Sequence, residues 1–415
     1  NAPCAPCVPV SELLEARCEV ETVEHPLQPF DPRAFEPDRL PSFDVELHRA
    51  ARAALRPPRE RRVEPLFSGS LTAAEPAAAG RLPVITLDDL VTFYDNPSKT
   101  MLRRHLQVWL DDPEGGLADR EPEALGGLKG WALKDELLRW SATERVDLEA
   151  AERVRGLARG SGRLPLAGAG DRAAEAVRVG LLATLAAWRE AGGPEAGAPS
   201  VDLKLDSAHL QGAVPGVVGD TLVTREVRSF RPPGRQLGLW IRLLGAATTA
   251  PVLTARRFSP DKVGGVTEDT LRLPSGADAA ALLADLVAVY LEAHRRRLPL
   301  FEHASAAFAT TGGNKKKCLY LHAAPEDFVE AGALGLVGKV LGIYDSSVKK
   351  AVSAWEHDPM FPYGHDMDCP YTVRLWGPRC PFLTTVGGKR HVNAEFAALA
   401  LRVWRPLGLA QQGIT

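Results

Sequence analysis

Cysteine and methionine are scarce in this sequence, with six of the first and three of the second among 415 residues. The cysteines, at Cys4, Cys7, Cys18, Cys318, Cys369 and Cys380, are too few and too scattered to staple a chain of this size. That usage fits a reducing compartment such as the cytoplasm. Cys4 and Cys7 form a C-x-x-C pair, but no second pair follows at zinc-ribbon spacing. No apolar run reaches the roughly 20 residues of a bilayer-crossing helix, so no membrane contact is expected. No signal peptide is visible. The chain opens at Asn1 in Pro- and Cys-rich sequence, which reads as a piece of a longer protein. An excess of one charge is missing as well. Fifty basic residues face 52 acidic ones, a net charge of −2. Solitary nucleic-acid binders are usually basic overall, which argues against that class. A local basic channel inside a larger assembly stays compatible with this balance.

What is present is apolar material, 45% of the residues, enough for a sizeable core at this length. Ser11 is a plausible N-cap for a short helix over 11–15. Prolines at 26, 29 and 32 then exclude a continuing helix or a central strand. The basic, Pro-containing stretch 56–62 and the Ala- and Pro-rich stretch 73–80 read as a linker. A compact domain starts near Leu82, so the division is drawn at 1–80 and 81–415. Thr86 and Asp89 have capping-box spacing, with Leu87, Leu90, Val91 and Tyr94 at helical intervals behind them. Asn96 and Pro97 end that helix and begin another, whose apolar face is read as Met101, Leu102, Leu106 and Trp109. Alanine-rich helices are expected at 145–158 and 171–191, with loops at 160–170 and 192–197. Strands follow over 201–205 and 221–228, then a helix through Leu237, Trp240, Ile241 and Leu244. Further helices are expected at 278–294, 325–341 and 393–404. The fold class is therefore α/β (α+β), a helix-rich domain around one small mixed sheet, preceded by an irregular arm.

Most chemical motifs fail on their own requirements. Gly335, Gly338 and Lys339 resemble part of a phosphate loop, but Val340 stands where Mg²⁺ needs a hydroxyl. His357, Asp358, His365, Asp366 and Asp368 crowd one Pro- and Gly-containing stretch without regular metal-ligand spacing.

The informative stretch is 210–240. Gly212 is followed by Pro215, then Glu226 and Arg228, then Gln236 and Trp240. This order resembles the core of the PD-(D/E)XK nucleases tied to RecB-type helicases. Those enzymes carry Gly-x-hydrophobic-Asp, then (D/E)-x-K, then Gln-x-x-x-Tyr. The two acids hold Mg²⁺, which activates water, and the lysine adds charge at the phosphate. Here Pro215 takes the place of the first acid and Arg228 that of the lysine. One remaining carboxylate is a poor Mg²⁺ site. The resemblance thus implies a nuclease-like fold with a degenerate site at Pro215, Glu226, Arg228 and Gln236. An ordinary strand–strand–helix unit fits these residues too.

Longer collinear pieces resemble the RecC family: 10–14, 25–33, 85–97 with Leu102 and Leu106, 121–138, 353–356 and 368–375. The resemblance makes 1–80 the tail of a helicase-like region with a linker arm, and 81–415 a nuclease-like C-terminal domain. A stretch near 308–344 looks inserted. The beta partners of RexAB/AddAB machines add four iron–sulfur cysteines, whose clustered spacing is lacking here. What the resemblance implies is a non-catalytic subunit of exodeoxyribonuclease V that scaffolds RecB-like and RecD-like partners in the bacterial cytoplasm. It would guide double-stranded DNA ends and unwound single strands in break repair and recombination. Mg²⁺ and ATP would be used by the partners, with no cofactor in this chain. Arg225, Arg228, Arg231, Arg235 and Arg242 are the candidate phosphate contacts, and 295–297 form a second basic knot. Two alternatives are an active Mg²⁺ nuclease using Glu226 with Asp206 or Asp220, and a protein-interaction scaffold without DNA contact.

Overall fold

The computed structural model describes residues 7–16, 26, 28–36, 42–55, 82–110, 133–136, 155–156, 158–160, 162, 164–227, 232–261, 265–310, 344–356, 365–386 and 389–412. The chain divides into two compact units, Asn1–Val63 and Glu64–Thr415. The expected linker at 56–62 and 73–80, the helix at 325–341, the phosphate-loop-like residues and almost all of the inserted stretch lie outside the described residues. So does most of the helix expected at 145–158.

In the first unit, helix α1 spans Val8–Ala16. Val10 and Ser11 donate their N–H groups to the Cys7 carbonyl, so the helix starts before Ser11 and that residue is not its cap. Pro9 is tolerated because the first turn needs no amide hydrogen from it. The arm also holds a helix that the prolines around it conceal. α2, Val45–Ala54, begins where Asp44 accepts the N–H groups of Glu46 and Leu47.

The second unit opens with strand β1 (Val84–Thr86) and helices α3 (Leu87–Asp95) and α4 (Pro97–His105). Both arms of the Thr86–Asp89 capping box form, at 3.0 and 3.1 Å. Asn96 caps α4 by accepting from Lys99 N–H at 2.8 Å. α4 stops at His105, so Trp109 is not part of its apolar face and is 61% exposed. Helix α5 (Ala167–Glu190) takes in the end of the expected 160–170 loop. Then come β2 (Ser200–Lys204), β3 (His209–Ala213), β4 (Val217–Val218), β5 (Thr221–Arg225) and helix α6 (Pro233–Ala247). Strands β6 (Thr254–Pro260) and β7 (Val266–Arg272) precede α7 (Ala279–Ala293) and α8 (Glu302–Thr310). After them lie α9 (Tyr344–Trp355), α10 (Pro370–Trp376), the hairpin β8 (Leu383–Val386) and β9 (Lys389–Val392), and α11 (Ala394–Gln412).

The class is mixed α/β, but the single sheet expected from sequence is replaced by several small ones. One runs β1-β3-β2, with β1 parallel and β2 antiparallel to β3. Another runs β4-β5-β6-β7, with β5 and β6 parallel and α6 as their crossover. The missed strands β6 and β7 are rich in charged residues, which hides their alternation. Helix α6 is apolar nearly all round, and Leu237, Trp240, Ile241 and Leu244 are buried. It forms the centre of a core shared with α3, α7, α8 and α11.

Pro215 lies in the turn between β3 and β4. It precedes Gly216, whose φ of +107° is open to glycine but strained for other residues. A Cβ on Gly216 would lie 2.6 Å from the Val223 carbonyl oxygen. The Val223 N–H donates to the Gly216 carbonyl at 2.7 Å, so this corner cannot move away freely. Gly216→Ala is expected to cost roughly 2 kcal/mol of stability, read as a lower urea midpoint at unchanged m-value.

Candidate nucleic-acid interface

The candidate site lies where β5 ends and α6 begins. Glu226 follows β5, and its N–H donates to the Phe258 carbonyl of β6 at 2.9 Å. Its carboxylate sits between two guanidinium groups, 2.7 Å from Arg235 and 3.4 Å from Arg257. Arg257 is 2% exposed, and its Nη1 also donates to the Arg235 carbonyl at 3.3 Å. Burial pulls the Arg257 pKa down only to about 10, so the group stays cationic at neutral pH. Glu226 is its counter-charge. The two guanidinium groups on this carboxylate repel a further cation, which opposes binding of a divalent ion at this corner. Sequence reading missed Arg257, because an arginine in a strand is ordinarily exposed.

The described candidate arginines have different partners. Arg225 and Glu226 are consecutive and engage different helices. Arg225 lies 3.7 Å over the Trp188 ring of α5. Its half-buried guanidinium is held at a pKa of about 10, first by burial and then by nearby Arg189. Its Nη1 has no hydrogen-bond partner among the described residues. Arg235 and Arg242 do share a face of α6, but each has an acid: Arg235 has Glu226, and Arg242 has the exposed Asp88 at 3.2 Å. Gln236 accepts a hydrogen bond from Gln411 of α11 at 2.5 Å, and Trp240 is buried in the core. Arg228 and Arg231 lie outside the described residues. In the second basic knot, Arg296 pairs with Glu292 and Glu395 and Arg297 covers the Trp376 ring, leaving Arg295 exposed.

The acids that a nuclease would need are not gathered either. Asp220 and Glu226 flank opposite ends of β5, some 20 Å apart at the rise of an extended strand. Asp206 is exposed on the turn between β2 and β3. Among the described residues no group of three or more His, Cys, Asp or Glu could hold a metal ion. His357 and Asp358 lie outside them. His365 is tied to Asp368 at 3.1 Å, while buried Asp366 accepts the His303 and Ala304 N–H groups that open α8.

Residues 82–313 match the family model described as the RecC C-terminal domain. This chain belongs to that family. The chain is also 29% identical to the RecBCD enzyme subunit RecC of Mycobacterium tuberculosis over 99% of its length, covering 35% of that protein. It is 32% identical to the same subunit of Mycolicibacterium smegmatis over 73% of the chain and 28% of that protein. The chain thus spans about a third of the length of these relatives. Among the described residues no helix is long and apolar enough to cross a membrane.

The RecC-family segment that carries the corner also buries an acid behind it. Glu302 accepts the Gly234 N–H at the start of α6, at 3.1 Å. Burial, then Asp95, push its pKa up to about 8. Buried Asp366 is raised to about 7, mainly by desolvation, and His303 is lowered to about 4 for the same reason.

Two stability predictions follow from these charges. Glu226→Ala strands the buried Arg257 cation and is expected to cost roughly 3 kcal/mol in a urea titration. The folded form keeps the Glu302 proton above the pH at which the unfolded chain has lost it. That acid therefore destabilises the fold progressively from about pH 4.5 to about 8. Glu302→Gln is expected to match the unaltered chain near pH 5 and to exceed it by about 1–3 kcal/mol at pH 8, measured by urea melts at both pH values.

Proposed function

We propose that this chain is the DNA-guiding, non-catalytic end of a RecC subunit. It would act in a RecBCD-type helicase–exonuclease that processes double-strand breaks in the bacterial cytoplasm. RecB-like and RecD-like subunits are its partners, and they carry the Mg²⁺ and ATP chemistry. The chain itself supplies a binding surface for duplex ends and the strands parted from them.

The observation that carries the non-catalytic reading is the clamping of Glu226 between Arg235 and Arg257. The unit β5–α6–β6, with β5 parallel to β6, is the part of the chain that supports descent from a PD-(D/E)XK-like fold, while β2 and β3 lie in a separate sheet. Pro215 occupies a turn where that fold would place an acid, and its corner serves backbone geometry instead. Arg225, whose guanidinium stacks on Trp188 at the end of β5, is proposed as a phosphate contact. Arg228, Arg231, Arg235 and Arg242 are proposed as further phosphate contacts.

Forked DNA incubated with the chain and Mg²⁺ or Mn²⁺ is expected to stay intact while binding it. Arg225→Ala and Arg242→Ala together are expected to weaken that binding and to flatten its salt dependence by about 0.9 per lost phosphate contact. Metal-dependent cleavage abolished by Glu226→Gln would make the chain a nuclease. An unchanged affinity and salt slope would leave a protein-interaction scaffold.

A further inference from the structure

The surface where α4 meets α10 plays no part in the corner described above. Past His105, the Leu106 and Val108 N–H groups both donate to the Leu102 carbonyl, at 3.2 and 3.0 Å. Gln107 between them has a φ of +52°, a left-handed turn that few residues other than glycine adopt. This turn brings 108–110 against α10. Val108 and Leu110 pack on the cluster of Met101, Leu102, Tyr371 and Leu375. Alternation along the extended segment then sends Trp109 outward.

Trp109 is held in place rather than loosely tethered. The Leu110 N–H donates to the Tyr371 hydroxyl, which donates back to the Leu110 carbonyl, both at 3.1 Å. Arg103 stacks 4.6 Å from the Trp109 ring centroid and 5.2 Å from that of Tyr371, and its Nε donates to the Tyr371 hydroxyl at 3.1 Å. Lys99 lies 5.8 Å from the Tyr371 ring, and Arg374 is exposed one turn along α10. Among the described residues no carboxylate pairs with Lys99, Arg103 or Arg374.

A lone exposed tryptophan is unremarkable. This one is fixed by a left-handed turn and backed by the Arg103 guanidinium. Lys99 and Arg374 lie on the adjoining α4 and α10, and among the described residues none of these cations has an acid partner. The geometry points to a binding platform for single-stranded DNA, with a base stacked on Trp109 and phosphates met by Lys99, Arg103 and Arg374. Duplex DNA keeps its base faces covered, so stacking selects a single strand. The inference rests on the DNA-guiding reading and places a second contact away from the β5–α6 corner.

The test is a titration of the whole chain with oligo-dT and with duplex DNA at two salt concentrations, read by tryptophan quenching and by labelled-DNA anisotropy. Trp109→Ala is expected to weaken oligo-dT binding by about fivefold or more and to leave duplex binding and melting temperature unchanged. Trp109→Phe should recover part of the loss, and Arg103→Gln should lower the salt slope. Unchanged oligo-dT affinity in Trp109→Ala, with weakened binding in Arg225→Ala, would overturn the platform and spare the DNA-guiding reading. No DNA binding by the unaltered chain would overturn both. Loss of association with a RecB-like subunit in Trp109→Ala, with oligo-dT affinity intact, would assign the surface to a protein partner and overturn the platform.

Discussion

Arg257 is almost wholly withdrawn from water yet remains cationic, and the fold around it is arranged to meet that charge. Glu226 supplies the opposite charge and the Arg235 carbonyl supplies an acceptor. The three residues come from β6, from the end of β5 and from the start of α6. The ion cluster therefore joins the parallel strand pair to the crossover helix that connects it. Removing one partner of such a buried set exposes the full desolvation cost of the other. Under the proposed nuclease-like descent, the same arrangement would withdraw Glu226 from a metal. Structural and chemical consequences thus come from a single contact.

A second charge pattern lies behind it. The α8 N-terminus is covered by Asp366, and Glu302 turns toward the start of α6. Helix N-termini favour anionic groups, which offsets part of the burial cost of each acid. Burial, with Asp95 and Asp366, nevertheless raises Glu302 to about 8, so the core carries a proton at neutral pH. The buried acids at these two helix starts give the domain a pH response that reaches the arginine corner through Gly234 and Arg235.

The local elements were largely readable from the chain. The Thr86–Asp89 box, the Asn96–Pro97 junction and the periodic apolar face of α6 each depend on residues a few positions apart, and all formed as expected. Where expectation failed, distant residues decided. Trp109 was assigned to a helical face, but the Tyr371 hydroxyl 262 positions later fixes its segment in another course. Strand β6 was missed because the charge in its middle is neutralised by a residue some thirty positions earlier.

The sequence by itself determined the helix boundaries set by caps and prolines, the apolar centre of the domain, and the likeness to the RecC family through collinear short segments. Tertiary structure alone decided that Arg225, Arg235 and Arg242 have different partners, that Glu226 serves an arginine, and that Trp109 faces outward. The physical reason is range. Capping, periodicity and turn strain act within one or two turns of chain and are written in neighbouring residues. The state of a charge or an aromatic ring depends on which distant groups folding brings beside it, and on whether water is excluded from the pair.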